Sequence, residues 1–301
     1  MSERIEYDEL SYFQENATEF GLPWTGPPAV RRERIDLGDG RHLSALVWGT
    51  APADLVLLHG GAQNAHTWDT VALALDRSLV AVDLPGHGHS GPGRNGSLDV
   101  AANAADVATA IRSLAATPVH LVGMSLGGTT ALAVADAQPD LVESLTLVDM
   151  TPGVDGAKAQ HIVAFVDGPE RFENFDELLA RTTAFNPTRS ESSLRRGILH
   201  NAVQLDDGSW VWRYARFRSE EPRGERLDFG DLWEAVSRWR KPLLLARGMR
   251  AQSVVDDADE AELLRRAPHA QVEHFAEAGH SIQGDQPVEL AAAIAAFTAS
   301  G

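Results

Sequence analysis

Among the side chains that could act as nucleophiles, bases or metal ligands, the most telling is a serine. Val119-His120-Leu121-Val122-Gly123-Met124-Ser125-Leu126-Gly127-Gly128 reads G-x-S-x-G between a predicted strand and a predicted helix. A serine on so tight a strand-to-helix turn sits on strained backbone and presents its hydroxyl outward. Glycines two positions to either side let helix and strand approach without side-chain collision. Ser125 is therefore assigned as a nucleophile. A serine hydroxyl is a poor nucleophile near neutral pH and needs a base that takes its proton and returns it to the leaving group. The chain has no cysteine, which excludes disulfides, thiolate metal sites, iron-sulfur clusters and a thiol nucleophile together.

Two other patterns invite chemistry and fail on context. Gly86-His87-Gly88-His89-Ser90-Gly91 spells G-x-G-x-x-G after a predicted strand. The next residues are Pro92-Gly93-Arg94-Asn95-Gly96, where a dinucleotide site requires a helix N-terminus to supply N–H groups and dipole. His87 and His89 form H-x-H without a third placed ligand, and there is no H-E-x-x-H and no P-loop. Neither cofactor nor metal is expected.

The elements that must position Ser125 alternate along the chain. Residues 54–58, 79–83, 119–123, 144–149, 242–247 and 271–275 read as buried strands. Between them, 98–114, 126–137, 258–267 and 287–299 carry apolar residues at helical spacing. Right-handed crossovers then give an α/β fold with a doubly wound, mostly parallel sheet. Residues 32–37 and 42–48, joined by Gly38-Asp39-Gly40, predict an antiparallel pair at the sheet edge. The expected division is a core over 31–150 and 240–301, with 151–239 inserted as a mostly helical lid. That insertion is rich in aromatics, among them Phe165, Phe185, Trp210, Trp212 and Phe217. Residues 1–30, with Tyr12, Phe13, Phe20 and Trp24, are too apolar for a free tail and are expected to dock as a short helix on the body or a partner chain.

Composition narrows the partners. The chain has 301 residues, 44% hydrophobic and 23% charged, enough for a large core. Its 43 acidic against 26 basic residues give a net charge of -17, which repels nucleic acid and anionic membranes. The N-terminus lacks a basic start followed by an apolar stretch, and no run approaches the roughly 20 apolar residues of a membrane span, so a cytoplasmic location is expected. A small-molecule substrate is the expected partner, and the apolar N-terminal segment leaves room for a homodimer.

With these motifs in place, the chain resembles the α/β-hydrolase superfamily from about residue 30 to its end. Leu57-Leu58-His59-Gly60-Gly61 matches the family's strand-end His-Gly segment, and Asp83-Leu84-Pro85-Gly86-His87-Gly88-His89-Ser90 its D-x-P-G-x-G-x-S loop. Gly279-His280-Ser281 matches the histidine loop. The resemblance implies that His280 is the general base and that the Gly61 and Leu126 amides bind the oxyanion, each such donor being worth about 3 kcal/mol of transition-state stabilisation. His59, His66, His87 and His89 do not follow the final strand and are read as loop-shaping. Gly60, Gln63 and Met124 are expected to meet substrate.

The acid departs from the family's commonest pattern, because Gly248-Met249-Arg250-Ala251-Gln252-Ser253 holds no carboxylate at the usual spacing. Asp149, ending the strand after the nucleophile helix, is the preferred substitute, as in a minority of the family; Asp256 and Asp257 are the alternatives. The order Ser125, Asp149, His280 keeps nucleophile, acid and base. The expected function is hydrolysis of a carboxylic ester or lactone of an apolar or aromatic substrate through an acyl-enzyme. A carbon-carbon bond hydrolase with the same triad and a ligand-binding receptor on this fold are the alternatives.

Overall fold

A computed structural model describes residues 4–94, 99–154, 156–214 and 229–299. Helix α1 (Phe13–Glu19) precedes a hairpin of β1 (Val30–Asp36) and β2 (His42–Trp48). The turn between these strands places Gly38 and Gly40 at φ +79° and +84°, a backbone region that favours glycine. Next along the chain come β3 (Ala53–Leu58), α2 (Asp69–Leu75), β4 (Leu79–Asp83), α3 (Val100–Leu114), β5 (Ala115–Met124), α4 (Leu126–Ala137) and β6 (Val142–Val148). An inserted stretch carries α5 (Gln160–Val166), β7 (Arg171–Phe172), α6 (Phe175–Phe185), α7 (Glu191–Asn201), β8 (Ala202–Gln204), β9 (Trp210–Trp212) and α8 (Leu232–Arg238). The chain closes with β10 (Leu243–Gly248), α9 (Asp257–Arg266), β11 (Gln271–Phe275), α10 (Ile282–Asp285) and α11 (Pro287–Ala299).

Eight strands form one sheet in the order β1-β2-β4-β3-β5-β6-β10-β11. β1 and β2 pair antiparallel, as do β2 and β4; every later pairing is parallel. The expected doubly wound sheet with an antiparallel edge is thus present. Strand alternation sorts the core into two layers. In β3, Val56 and Leu58 pack in the layer that contains α3, α4, α8 and α9, whereas Leu55 and Leu57 face the layer of α1, α2 and α11.

The inserted stretch departs from expectation, because it also holds a three-stranded antiparallel sheet, β7-β9-β8. Strands of two or three residues carry too little period-2 pattern to be read against flanking helices. Trp210 packs there with Phe172, Phe175, Leu178 and Ile198 in a separate apolar cluster. Phe217 and the Asn95-Gly96 pair lie outside the described residues.

The N-terminal segment docks on the body of its own chain. Phe13 is 2% exposed, its ring centroid 4.8 Å from that of Trp48. Arg196 of α7 donates to Asn16 at 3.0 Å and also pairs with Glu19, so α1 ties the inserted stretch to the sheet. Phe13→Ala is expected to cost about 3–5 kcal/mol, because the cavity it leaves is walled by rigid sheet residues. A lower urea midpoint at unchanged slope is the result expected; an unchanged midpoint would show the segment to be dispensable.

Candidate active site

β5 runs straight into the serine turn. Ser125 adopts φ +51°, ψ -115°, a conformation that costs an L-residue of order 1–3 kcal/mol and persists only where the surroundings impose it. The surroundings here are backbone. A Cβ on Gly123 would lie 2.3 Å from the Gly127 carbonyl oxygen, and one on Gly127 would lie 2.3 Å from that of Leu58. Both glycines therefore allow β3, β5 and α4 to meet behind the serine. Gly60 approaches from the other side, where a Cβ would sit 2.4 Å from Met124 Sδ and 3.4 Å from Ser125 Cβ.

His280 lies on the loop between β11 and α10, and its Nδ1 donates to Asp149 Oδ2 at 2.9 Å. Asp149 is fully buried just past β6, at φ +44°. Its Oδ1 accepts from the Gly248 amide at 3.0 Å and from the Ser253 hydroxyl at 2.6 Å; its Oδ2 also accepts from the Val254 amide at 3.0 Å. Four donors thus fix one carboxylate. The two alternative acids are occupied elsewhere. Asp256 caps α9 and pairs with Lys158 at 2.9 Å, and Asp257 reaches Arg247 at 2.7 Å from a solvent-exposed position.

The loop after β3 leaves an amide uncommitted beside the serine turn. The Gly60 N–H donates to Gln63 Oε1 at 3.1 Å and the Ala62 N–H to His87 Nε2 at 3.1 Å. Between them, the Gly61 N–H meets no acceptor among the described residues. Leu126 opens α4, and its N–H meets no acceptor among the described residues, whereas two residues on the Gly128 N–H already donates to the Ser125 carbonyl at 2.8 Å. His59 and His87 do shape loops. His59 Nε2 accepts from the Leu84 amide at 2.9 Å while Nδ1 donates to the Gly60 carbonyl at 2.7 Å. His87 Nδ1 donates to the Pro85 carbonyl at 3.0 Å.

Burial, with His59 alongside, pushes the His87 imidazole down to about 3. Its native pKa lies below the unfolded value, so the unfolded chain binds more protons and stability falls as pH drops from about 6.5 toward 3. Between pH 7 and pH 5 this amounts to roughly 2 kcal/mol. Urea midpoints at the two pH values should show that loss in the wild type and a shallower one in His87→Gln; equal slopes would contradict it.

Ser125, His280, Asp149, Gly60, Gly61, Gln63, Met124 and Leu126 all line one cavity of about 300 Å³. Of the inserted aromatics, Phe165, Phe185, Trp212 and Phe229 face it together with Ile162 and Ile198, while Trp210 does not. Gln63 lines the cavity, but its Oε1 already accepts from Gly60 and from Gln283 Nε2 at 3.3 Å, so it braces the loop. The sequence pattern does not reveal Ser253, whose hydroxyl grips Asp149. Nor does it reveal the Arg189–Asp285 pair that steadies the histidine loop: Arg189 donates to the Ser281 carbonyl at 3.2 Å, and Asp285 accepts from the Gly279 amide at 3.0 Å. A polar residue in the stretch after β10 is the only local signal for Ser253.

The model of the alpha/beta hydrolase family matches residues 55–293, which contain every side chain just described. The chain belongs to the alpha/beta hydrolase family. Within that family it is similar to the esterase Rv0045c of Mycobacterium tuberculosis, 43% identical over 291 residues that cover 94% of this chain and 93% of the relative. A solved structure of that esterase, described together with its inhibition by transition metals, superposes with a TM-score of 0.84 at 40% identity, covering 98% of this chain and 100% of that one. The sn-1-specific diacylglycerol lipase ABHD11 of Xenopus laevis is 30% identical over 82% of this chain and 80% of its own. Among the described residues no helix of this hydrolase is long and apolar enough to cross a membrane.

Proposed function

We propose that this hydrolase cleaves a carboxylic ester or lactone with an apolar or aromatic acyl part through an acyl-enzyme on Ser125. The observation that carries this reading is the His280–Asp149 hydrogen bond facing the cavity into which the strained Ser125 turn opens. His280 Nδ1 is committed to Asp149, which leaves Nε2 as the base that accepts the Ser125 proton. The serine oxygen bonds to the substrate carbonyl carbon, and the carbonyl π pair moves onto oxygen. The uncommitted Gly61 amide and the Leu126 amide hold that oxyanion. Collapse expels the alcohol, protonated by His280; water, deprotonated by the same imidazole, then releases the acid.

The inserted stretch acts as a lid whose Phe165, Phe185, Ile162 and Ile198 receive the acyl group. The names of the esterase and the lipase among the relatives support ester chemistry. The test is hydrolysis of a panel of p-nitrophenyl esters and aromatic lactones, with the site of fluorophosphonate labelling located by mass spectrometry. Turnover with the label on Ser125 is the expected result. Absence of both would overturn the reading and favour a receptor on the same fold.

A further inference from the structure

One cluster of ligand-type side chains plays no part in the mechanism above. The short 3₁₀ turn Ala65–Trp68 and the start of α2 bring His66 and Asp69 together, and the end of α7 brings His200 against them. All three residues are at least nine-tenths buried, and one donor atom from each lies within 4.8 Å of the others. His66 Nδ1 sits 2.9 Å from Asp69 Oδ2, and His200 Nε2 sits 3.9 Å from the same oxygen. Among the described residues, Asp69 Oδ1 and His200 Nε2 have no hydrogen-bond partner, although both are sealed from solvent. Leaving a buried polar atom unmet costs of order 1–3 kcal/mol, so two in one cluster call for an occupant.

We propose that His66, Asp69 and His200 bind a divalent transition-metal ion, Zn²⁺ or a neighbour that prefers imidazole. Two imidazoles and one carboxylate are a donor set that takes such an ion with a further position left for water. The outer partners suit the role as well. Tyr7 Oη lies 2.9 Å from His200 Nδ1 and Glu9 Oε2 lies 3.4 Å from His66 Nε2, so each ligand ring has a hydrogen-bonding group behind it. Arg32, the guanidinium beside His66, is held by Glu9 and by Asp83, at 2.9 and 2.8 Å. The metal takes the place of the proton between His66 Nδ1 and Asp69, and that proton leaves to solvent. The two rings are stacked with centroids 3.8 Å apart and 10° between planes, so one must turn out of the stack to aim its lone pair at the ion. His66 and His200 also line the catalytic cavity, so the turn of one ring opens the sealed donor atoms to an ion from that side. No sequence spacing announces this site, because its ligands come from segments more than a hundred residues apart.

The test is calorimetric titration of the full-length protein with Zn²⁺. One ion per chain is expected in the wild type and in His280→Ala, with binding lost in His200→Gln and the affinity of Tyr7→Phe reduced roughly 10- to 100-fold. Binding that survives in His200→Gln but disappears in His280→Ala would place the ion on the catalytic cavity's own histidine and overturn the proposal, as would no binding at all. Should His200→Gln fail to fold, the Cu²⁺ electron paramagnetic resonance spectrum of His280→Ala decides. Coupling to two imidazole nitrogens supports the site; coupling to fewer overturns it.

Discussion

Ser125→Ala is expected to lower kcat for ester hydrolysis by about 10⁶-fold while leaving KM nearly unchanged. The substitution removes the protein atom proposed to bond to the acyl carbon, and in a serine triad that loss nearly equals the loss of all three members. It leaves the apolar cavity wall in place, because Ile162, Phe165, Phe185 and Ile198 lie on the inserted stretch. Thermal stability should hold, since alanine carries the same Cβ into the same strained turn. A residual rate of about 10³- to 10⁴-fold over water should remain from the oxyanion amides and binding. The measurement is steady-state hydrolysis of the best ester together with fluorophosphonate labelling. Retention of a tenth of wild-type activity, or labelling at another residue, would remove Ser125 from the mechanism.

Asp149→Asn is expected to lower kcat by about 10⁴-fold, because the imidazole loses the carboxylate that fixes its tautomer and balances the imidazolium. Here, unlike at Ser125, stability should fall too. The carboxylate accepts from Gly248, Val254, Ser253 and His280, and an amide has one oxygen to offer where four donors converge. A buried donor left unmet costs of order 1–3 kcal/mol, so a lower urea midpoint should accompany the kinetic loss. Asp256→Asn is the control. It removes the carboxylate that caps α9 and should leave kcat near the wild-type value. Near-full activity in Asp149→Asn with a loss in Asp256→Asn would reverse the two assignments. The kinetic and thermodynamic effects can be separated by assaying well below the melting temperature.

Much of this site is legible in the sequence because its signals are local. The Ser125 turn needs glycines at 123 and 127 for a steric reason that acts within five residues, and the structure shows both pressed against backbone. The β-strand runs and the hairpin turn at Gly38 and Gly40 are likewise short-range. The features hidden from the sequence depend on contacts between distant segments. Nothing near Asp149 in sequence says that Gly248, Ser253 and Val254 will close around it from a hundred residues away, which is why Asp256 and Asp257 stand as alternatives until the fold is known. Gln63 reads as free to meet substrate because one of the two donors to its side chain, Gln283, is 220 residues distant. The small sheet of β7, β8 and β9 escapes for the opposite reason: its strands are too short to leave a pattern.

The N-terminal segment also constrains how the protein is made. Ile5 donates its amide to Gln204 at 2.9 Å, a contact spanning 199 residues, and Tyr7 reaches His200. On a ribosome adding about 5–20 residues per second, the first residues emerge roughly 10–40 s before the partners they will hold. The contacts of Ile5 and Tyr7 must therefore form only after residues 200–204 have been synthesised, whereas Phe13 can meet Trp48 much earlier. The strained turn at Ser125 is complete in sequence well before the stretch that walls the far side of its cavity, so the cavity closes only when contacts spanning nearly 200 residues have formed.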